Sequence, residues 1–233
     1  MLHLMLDRGE SIHSVLFFDT GWEFPQMYAH LDLIEQKAGL KVNRLNPSKP
    51  FEYWMFDRVK EKGAIGVVGY GWPNTYRWCT ELKTREIDKY QSKVNNCIGC
   101  IGIAADEIHR VKRGKRYPLI EYGMSEADCL QYCKDLGYTW GGLYESFHRV
   151  SCWCCPNKSL PELRNLRRNF PDLWAKLLDM DARQPSHVAP FKSGVSVFDL
   201  EHRFSREDKF PKNIPARFVR RMMKQPNLFE VSA

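Results

Sequence analysis

Residues 14–47, "SVLFFDTGWEFPQMYAHLDLIEQKAGLKVNRLNP", carry the pattern that decides the fold class. The run "SVLFFDT" is short, apolar and closed by Asp-Thr-Gly, as expected of a strand buried on both faces in a parallel sheet. "EFPQMYAHLDLIEQKAG" follows as an amphipathic helix, with Pro25 in its first turn and Gly39 at its end. "KVNRLNP" is a second strand, stopped by Pro47. Strand, helix and strand at this spacing predict an α/β fold, an open parallel sheet with helices on both faces. Ligands of such sheets bind outside the carboxyl ends of the strands. Asp19, Thr20 and Gly21 sit at one such end.

Working outward, Leu2, Met5 and Leu6 have helical spacing that ends at Gly9. "PFEYWMFDRVKEKG" (50–63) predicts a helix ending at Gly63, and "CTELKTREIDKY" (79–90) another. "IGCIGIAAD" (98–106) predicts a further strand, with Asp106 and Glu107 at its carboxyl end. Beyond Arg116 the pattern turns helical. Ser125 with Asp128, and Ser159 with Glu162, have the spacing of capping boxes, and "FPDLWAKLLDMD" predicts one more helix. The expected layout is an α/β core over 1–122, a cysteine-bearing helical subdomain over 123–184 and an extension with a basic tail over 185–233.

At 233 residues and 43% hydrophobic, the chain is long enough to bury a real core and lies outside the disordered class. No window approaches the roughly 18 uninterrupted apolar residues of a membrane span. "MLHLMLDRGE" lacks the basic region and small-residue cleavage site of a signal peptide. The reading therefore places the protein in the cytosol, without a membrane partner. Reduced thiols are the rule there, so eight cysteines point to metal ligation, catalysis or core packing rather than to a disulfide framework.

The net charge of +7 favours an anionic partner. From Glu201 onward eight Lys/Arg face four acids, so over half of that charge lies in the tail. Arg217, Arg220, Arg221 and Lys224 have near-helical spacing suited to phosphate contacts. A second basic run, "RVKRGKR", spans residues 110–116; the plain reading of any such run is a solvated face.

The cysteines fall into four places: Cys79, the pair Cys97 and Cys100, the pair Cys129 and Cys133, and the group Cys152, Cys154 and Cys155 in "SCWCCP". Cys100 falls inside the expected strand, where a small buried residue is the commoner explanation. Cys152 and Cys155 form a C-x-x-C turn closed by Pro156, which presents two sulfurs to one metal. Cys79 opens a helix, where a thiolate gains from the dipole. Cys129 and Cys133 share a helix face, with helix packing as the competing explanation. The expected ligand set is Cys79, Cys133, Cys152 and Cys155, with Cys133 preferred over Cys154 because adjacent residues of an extended turn point apart. Thiolate-only ligation tilts toward an iron–sulfur cluster, with zinc as the alternative.

"VLFFDTGWEFPQMYAHLD", "RWCTELKTREI", "IGIAADEIHR" and "GGLYESFHRVSCWCCP" together resemble the phosphoadenosine-phosphosulfate (PAPS) reductase family, within the adenine-nucleotide α-hydrolase-like superfamily. The similarity covers about residues 1–204. It implies an open parallel sheet that binds an adenylyl nucleotide, ATP or PAPS. Asp19, Thr20 and Gly21 would lie near the nucleotide, and Arg77, Cys79 and Lys83 beside the substrate. Many sulfur-transferring relatives hold an iron–sulfur cluster through cysteines. Charge at the strand ends adds Asp106 and Glu107 across the cleft, with Lys83 or Arg110 on the phosphates. Two family features are absent from this sequence: the Ser-Gly-Gly-x-Asp-Ser phosphate loop, expected before the helix at Met1, and the Glu-Cys-Gly-His tail. The resemblance therefore implies that this chain lacks the family's first strand and phosphate loop, through a start codon placed too far downstream or else through true truncation.

Three functions follow as alternatives. The first is sulfonucleotide reduction or ATP-dependent sulfur transfer, with an electron or sulfur donor protein. The second is a nucleic-acid thiolation or binding module using the basic tail. The third is an inactive remnant held by a structural zinc.

Overall fold

The computed structural model describes residues 1–59, 66, 68–74 and 76–209. The tail cations from Lys212 to Lys224 lie outside the described residues. The elements run α1 (Leu2–Asp7), β1 (Val15–Phe18), α2 (Pro25–Ala38), β2 (Val42–Leu45), a π-helical turn (Tyr53–Asp57), α3 (Trp78–Gln91) and a 3₁₀ helix (Ala105–Arg110). There follow α4 (Pro118–Glu121), α5 (Glu126–Asp135), a 3₁₀ turn (Trp140–Gly142), α6 (Leu143–Ser146), α7 (Leu160–Asn169), α8 (Pro171–Ala182) and α9 (Val197–Lys209). The fold is a mixed α/β arrangement with a small, open, parallel two-stranded sheet and many helices.

β1 and β2 pair in parallel from Val15 with Val42 to Phe18 with Leu45. α2 makes the crossover between them. Pro25 opens it without losing a needed N–H, and Gly39 closes it in the left-handed region at φ 65°. Phe18 alone in β1 is buried, while Val15, Leu16 and Phe17 are half-buried. The strand therefore lacks the two-sided burial that its apolar run predicted.

Two expected elements are corrected. Residues 98–106 do not form a strand: Cys100 makes one isolated parallel bridge to Arg116, and a 3₁₀ helix begins at Ala105. A strand needs a ladder, and this segment has only the bonds from Ile101 N to Arg116 O and from Arg116 N to Gly99 O. Ile98 is 70% exposed and Cys100 half-buried, so the apolar run is not a buried one. The helix expected over 50–63 ends at Asp57. Arg58 turns extended and Val59 bridges to Val68, because the backbone of Gly69 and Gly71 packs onto this segment. A Cβ on Gly69 would strike the Met55 carbonyl. The two capping boxes form as expected at α5 and α7.

One hydrophobic cluster runs from Phe18 to Phe204. Its centre is aromatic. Trp22 meets Phe51 edge-on at 5.2 Å and Trp78 at 6.2 Å, and Phe24 packs on Phe147 at 4.9 Å. Burying aromatic side chains of this size supplies roughly 1.5–3 kcal/mol each. α7, α8 and α9 close the cluster through Leu163, Leu166, Trp174, Leu177 and Leu200. Arg167 clamps α7 to α9, pairing with Glu201 at 2.8 Å and Asp208 at 2.5 Å. Among the described residues no helix is long and apolar enough to cross a membrane.

Candidate functional site at the end of the first strand

β1 stays in the ladder through Asp19, whose N–H donates to the Leu45 carbonyl at 2.8 Å. The chain then leaves the sheet in a tight turn. Asp19 Oδ1 accepts from Gly21 N and from the Tyr28 hydroxyl, each at 2.8 Å. Gly21 takes φ 75°, a conformation that disfavours any residue with a Cβ. Thr20 Oγ1 accepts from Trp22 N at 3.0 Å and donates to Glu23 Oε1 at 3.0 Å. Burial and the bond to Asp19 push the Tyr28 phenol well above its ordinary range, so it stays a donor that locks the Asp19 carboxylate.

The cysteine loop lies directly against this turn. Trp153 N donates to the Trp22 carbonyl at 3.1 Å, and the Cys152 sulfur is 3.6 Å from Thr20 Oγ1. The Cys152 thiol donates to Glu23 Oε1 at 3.3 Å. Burial first, and then the Glu23 charge, hold this thiol far above the usual range and therefore protonated. Cys154 is packed in the core at 3% exposure. Burial raises its thiol well above normal too. Cys155 is half-buried, and its N–H closes the turn onto the Cys152 carbonyl at 3.1 Å.

Around Cys155 the charge changes sign. Lys158 donates its backbone N–H to the Cys155 carbonyl at 3.1 Å and is itself only 2% exposed. Its ammonium donates to Ser151 Oγ at 3.3 Å and lies 4.5 Å from the Phe147 ring and 5.2 Å from the Phe24 ring. Burial pulls the Lys158 amine below its usual range. Lys192 donates to the Pro156 carbonyl at 2.7 Å. On the opposite side Arg77, the residue before α3, reaches Asn157 Oδ1 at 3.5 Å. Next to Pro156 opens a cleft of about 640 Å³, lined in part by Asn74, Asn157, Phe191, Lys192 and Arg203.

The expected residues divide into two places. Asp19, Thr20, Gly21, Arg77, Cys79, Cys152 and Cys155 belong to this region; Cys79 is half-buried at the start of α3 and senses the charge of Cys155. Burial raises the Cys79 thiol, outweighing the helix terminus that was expected to lower it. Lys83 is exposed further along α3. Asp106, Glu107 and Arg110 are engaged elsewhere. Asp106 accepts from Glu126 N at the start of α5 at 3.1 Å, and Glu107 pairs with Arg110 at 2.5 Å. Cys133 lies beside Cys129, within reach of the N-terminal amine. Among the described residues no three His, Cys, Asp or Glu side chains converge as a metal site. In this metal-free arrangement the Cys152 thiol is hydrogen-bonded to Glu23, through a proton that a bound metal would displace.

Sequence reading missed Glu23, Tyr28, Lys158 and Lys192. Only Lys158 had a local signal, as a lysine one turn beyond a C-x-x-C-Pro stretch. The others are brought in by tertiary contact.

Residues 1–158 match the phosphoadenosine phosphosulfate reductase domain, a match that ends just past the cysteine loop. A curated relative, "Uncharacterized protein MJ0066" of Methanocaldococcus jannaschii, is 28% identical over 178 residues, covering 70% of this chain. The chain spans about a third of that relative's length, 34%. No solved structure matches the chain. The four segments that carry the resemblance and the strand-end turn against which one of them folds all lie within the matched span, and the chain belongs to the phosphoadenosine phosphosulfate reductase domain family, of the adenine nucleotide α-hydrolase-like superfamily.

Proposed function

We propose that the chain binds an adenylyl nucleotide at the Asp19–Gly21 turn and handles sulfur at the cysteine loop beside it. The observation that carries this reading is the junction of the two: Trp153 N on the Trp22 carbonyl at 3.1 Å, and Cys152 sulfur 3.6 Å from Thr20. A parallel sheet places ligands at its carboxyl ends, and here that end meets thiols. Arg77 and Lys83, both exposed on or before α3, are the cations proposed for the nucleotide's anionic groups. Sulfonucleotide reduction and ATP-dependent sulfur transfer both suit such a site, with an electron or sulfur donor protein as partner.

Calorimetric titration with PAPS and with ATP tests the reading. Saturable binding of at least one nucleotide is expected, weakened about tenfold or more in Arg77→Ala, since a charged contact contributes about 1.5–3 kcal/mol. Absence of binding by either nucleotide to the folded chain would overturn it. A second reading, nucleic-acid binding through the basic tail, rests on the spacing of Arg217, Arg220, Arg221 and Lys224. It requires tRNA or duplex DNA to bind more tightly than a generic polyanion at equal salt.

A further inference from the structure

Away from the strand-end turn and the cysteine loop, aromatic and cationic side chains gather on a surface that backbone pairing builds. Gly69 N, Tyr70 N and Gly71 N donate to the carbonyls of Arg58, Trp54 and Met55 at 2.8, 3.0 and 3.1 Å, which ties this turn to the π-helical segment. Gly69, at φ 72°, permits the close approach, because a Cβ there would lie 2.3 Å from the Met55 carbonyl oxygen. The result is a ladder of rings that rises out of the core. Trp78 is its buried foot. Tyr70 stands 6.1 Å from Trp78 at 21°, and Trp54 stands 6.4 Å from Tyr70 at 10°, both half-buried. Tyr53 and exposed Tyr76 meet the ladder edge-on, 5.5 Å from Trp54 and 5.1 Å from Tyr70.

The cations on this ladder are short of acids. The Arg58 guanidinium lies 4.5 Å from the Tyr70 centroid and 5.8 Å from that of Trp54, and Arg85 of α3 lies 5.8 Å from the same indole. Lys49 accepts the Trp54 indole N–H on its carbonyl at 3.2 Å and holds its ammonium 5.9 Å from the Tyr53 ring. Among the described residues no carboxylate pairs with Arg58 or Lys49, and Arg85 is paired with Glu86 at 3.7 Å. Other acids of these elements are engaged: Glu52 accepts from Trp22, Glu81 from Tyr76, and Glu86 is shared with Lys89. Two guanidiniums drawn to one indole repel each other, and a half-buried one without an acid is poorly compensated. The charge calls for an anion, and the rings call for a flat partner.

We propose that this surface binds single-stranded nucleic acid. An unpaired base stacks on Trp54 at the head of the ladder, and the phosphates on either side of it lie on Arg58, Arg85 and Lys49. Several rings interleaved with several cations match a polymer of alternating base and phosphate better than one small anion. A duplex fits poorly, because its bases stack on one another and keep their faces inside. The surface involves neither the tail cations nor the Asp19–Gly21 turn, so the proposal depends on neither reading above.

Fluorescence anisotropy with a labelled oligothymidylate of about 12 nucleotides, within the roughly 4–16 that such surfaces span, tests this on the full chain. The measurement is repeated with Arg217, Arg220, Arg221 and Lys224 all changed to alanine, which removes the tail's contribution. Saturable binding is expected to survive that change and to be about tenfold or more tighter than to a duplex of equal length or to thymidine monophosphate. Trp54→Leu should weaken it about fivefold or more, through the lost stacking, and leave its salt dependence unaltered. Lys49→Ala and Arg85→Ala, both at exposed positions, should each flatten the slope of log K against log salt by about 0.7. If Trp54→Leu fails to fold, those two slopes decide. Absence of binding, equal binding of the duplex or the monophosphate, unaltered affinity in folded Trp54→Leu, or slopes unmoved in both cation variants would overturn the proposal. So would displacement of the strand by a proline-rich peptide, the other partner that aromatic grooves take. Thymidine carries no adenine, so a failure here is distinct from a failure of the adenylyl-nucleotide titration.

Discussion

Replacing Lys158 by methionine should stabilise the protein. The side chain is 2% exposed, so its ammonium has lost nearly all of its water. That desolvation costs several kcal/mol. Against it stand a hydrogen bond to Ser151 at 3.3 Å and ring contacts at 4.5 and 5.2 Å. These offset about 1.5 kcal/mol through the bond and about 0.5–1 kcal/mol through each ring. Methionine fills similar volume and packs well against Phe24 and Phe147. A net gain of about 2 kcal/mol follows, within the range found when buried ions give way to apolar residues. For a chain of this size that raises Tm by about 4–8 °C. The gain has a pH signature. The folded amine lies below its ordinary 10.5, so between those two values the unfolded state binds more protons and wild-type stability climbs with pH. The advantage of Lys158→Met is therefore largest on the acid side and shrinks as pH rises toward the ordinary lysine range. Urea unfolding of both proteins at about pH 7 and about pH 9.5 reads it. A variant less stable than wild type by about 1 kcal/mol or more near neutral pH would show that the ammonium is well compensated and refute this reasoning.

Gly21→Ala should cost about 1–2 kcal/mol from backbone strain alone, because φ is 75° and a Cβ there meets no atom; thermal unfolding checks it, and a neutral effect would mean the turn relaxes. Ser159→Ala removes one half of the α7 capping box and should cost about 1 kcal/mol, measured by urea unfolding. Acid should loosen the α7–α9 clamp. Arg167 holds Glu201 down at about 2, against an ordinary 4.5, so this stability is fully present above 4.5 and is lost as pH falls toward 2. Arg167→Ala should remove that part of the acid dependence, and an unchanged acid unfolding curve would contradict it.

Helix ends were legible because their signals are local. Pro25 and Gly39 bracket α2, and Ser125 with Asp128 opens α5, through bonds between residues a few positions apart. The strand expected at residues 98–106 failed for the opposite reason. An apolar run says nothing of whether a ladder partner exists, and only Arg116 meets it. The helix from Phe51 stopped early because Gly69 and Gly71 return to pack on it, a contact no local pattern announces. At the site, Asp19 to Gly21 was readable as a turn at a strand end. That it faces Cys152 across 132 positions was not, and neither was the burial of Lys158 between two phenylalanines.

The central claim is that the Asp-Thr-Gly turn and the cysteine loop are one site. Its most direct test is Cys155 alkylation with and without a saturating nucleotide, PAPS or ATP, whichever gives heat on titration. Occupancy at Asp19 to Gly21 should change the Cys155 rate by about threefold or more through contact or charge, leaving Cys97 unaffected. A nucleotide that binds and leaves the Cys155 rate unaltered would place the two motifs in separate sites and contradict the account.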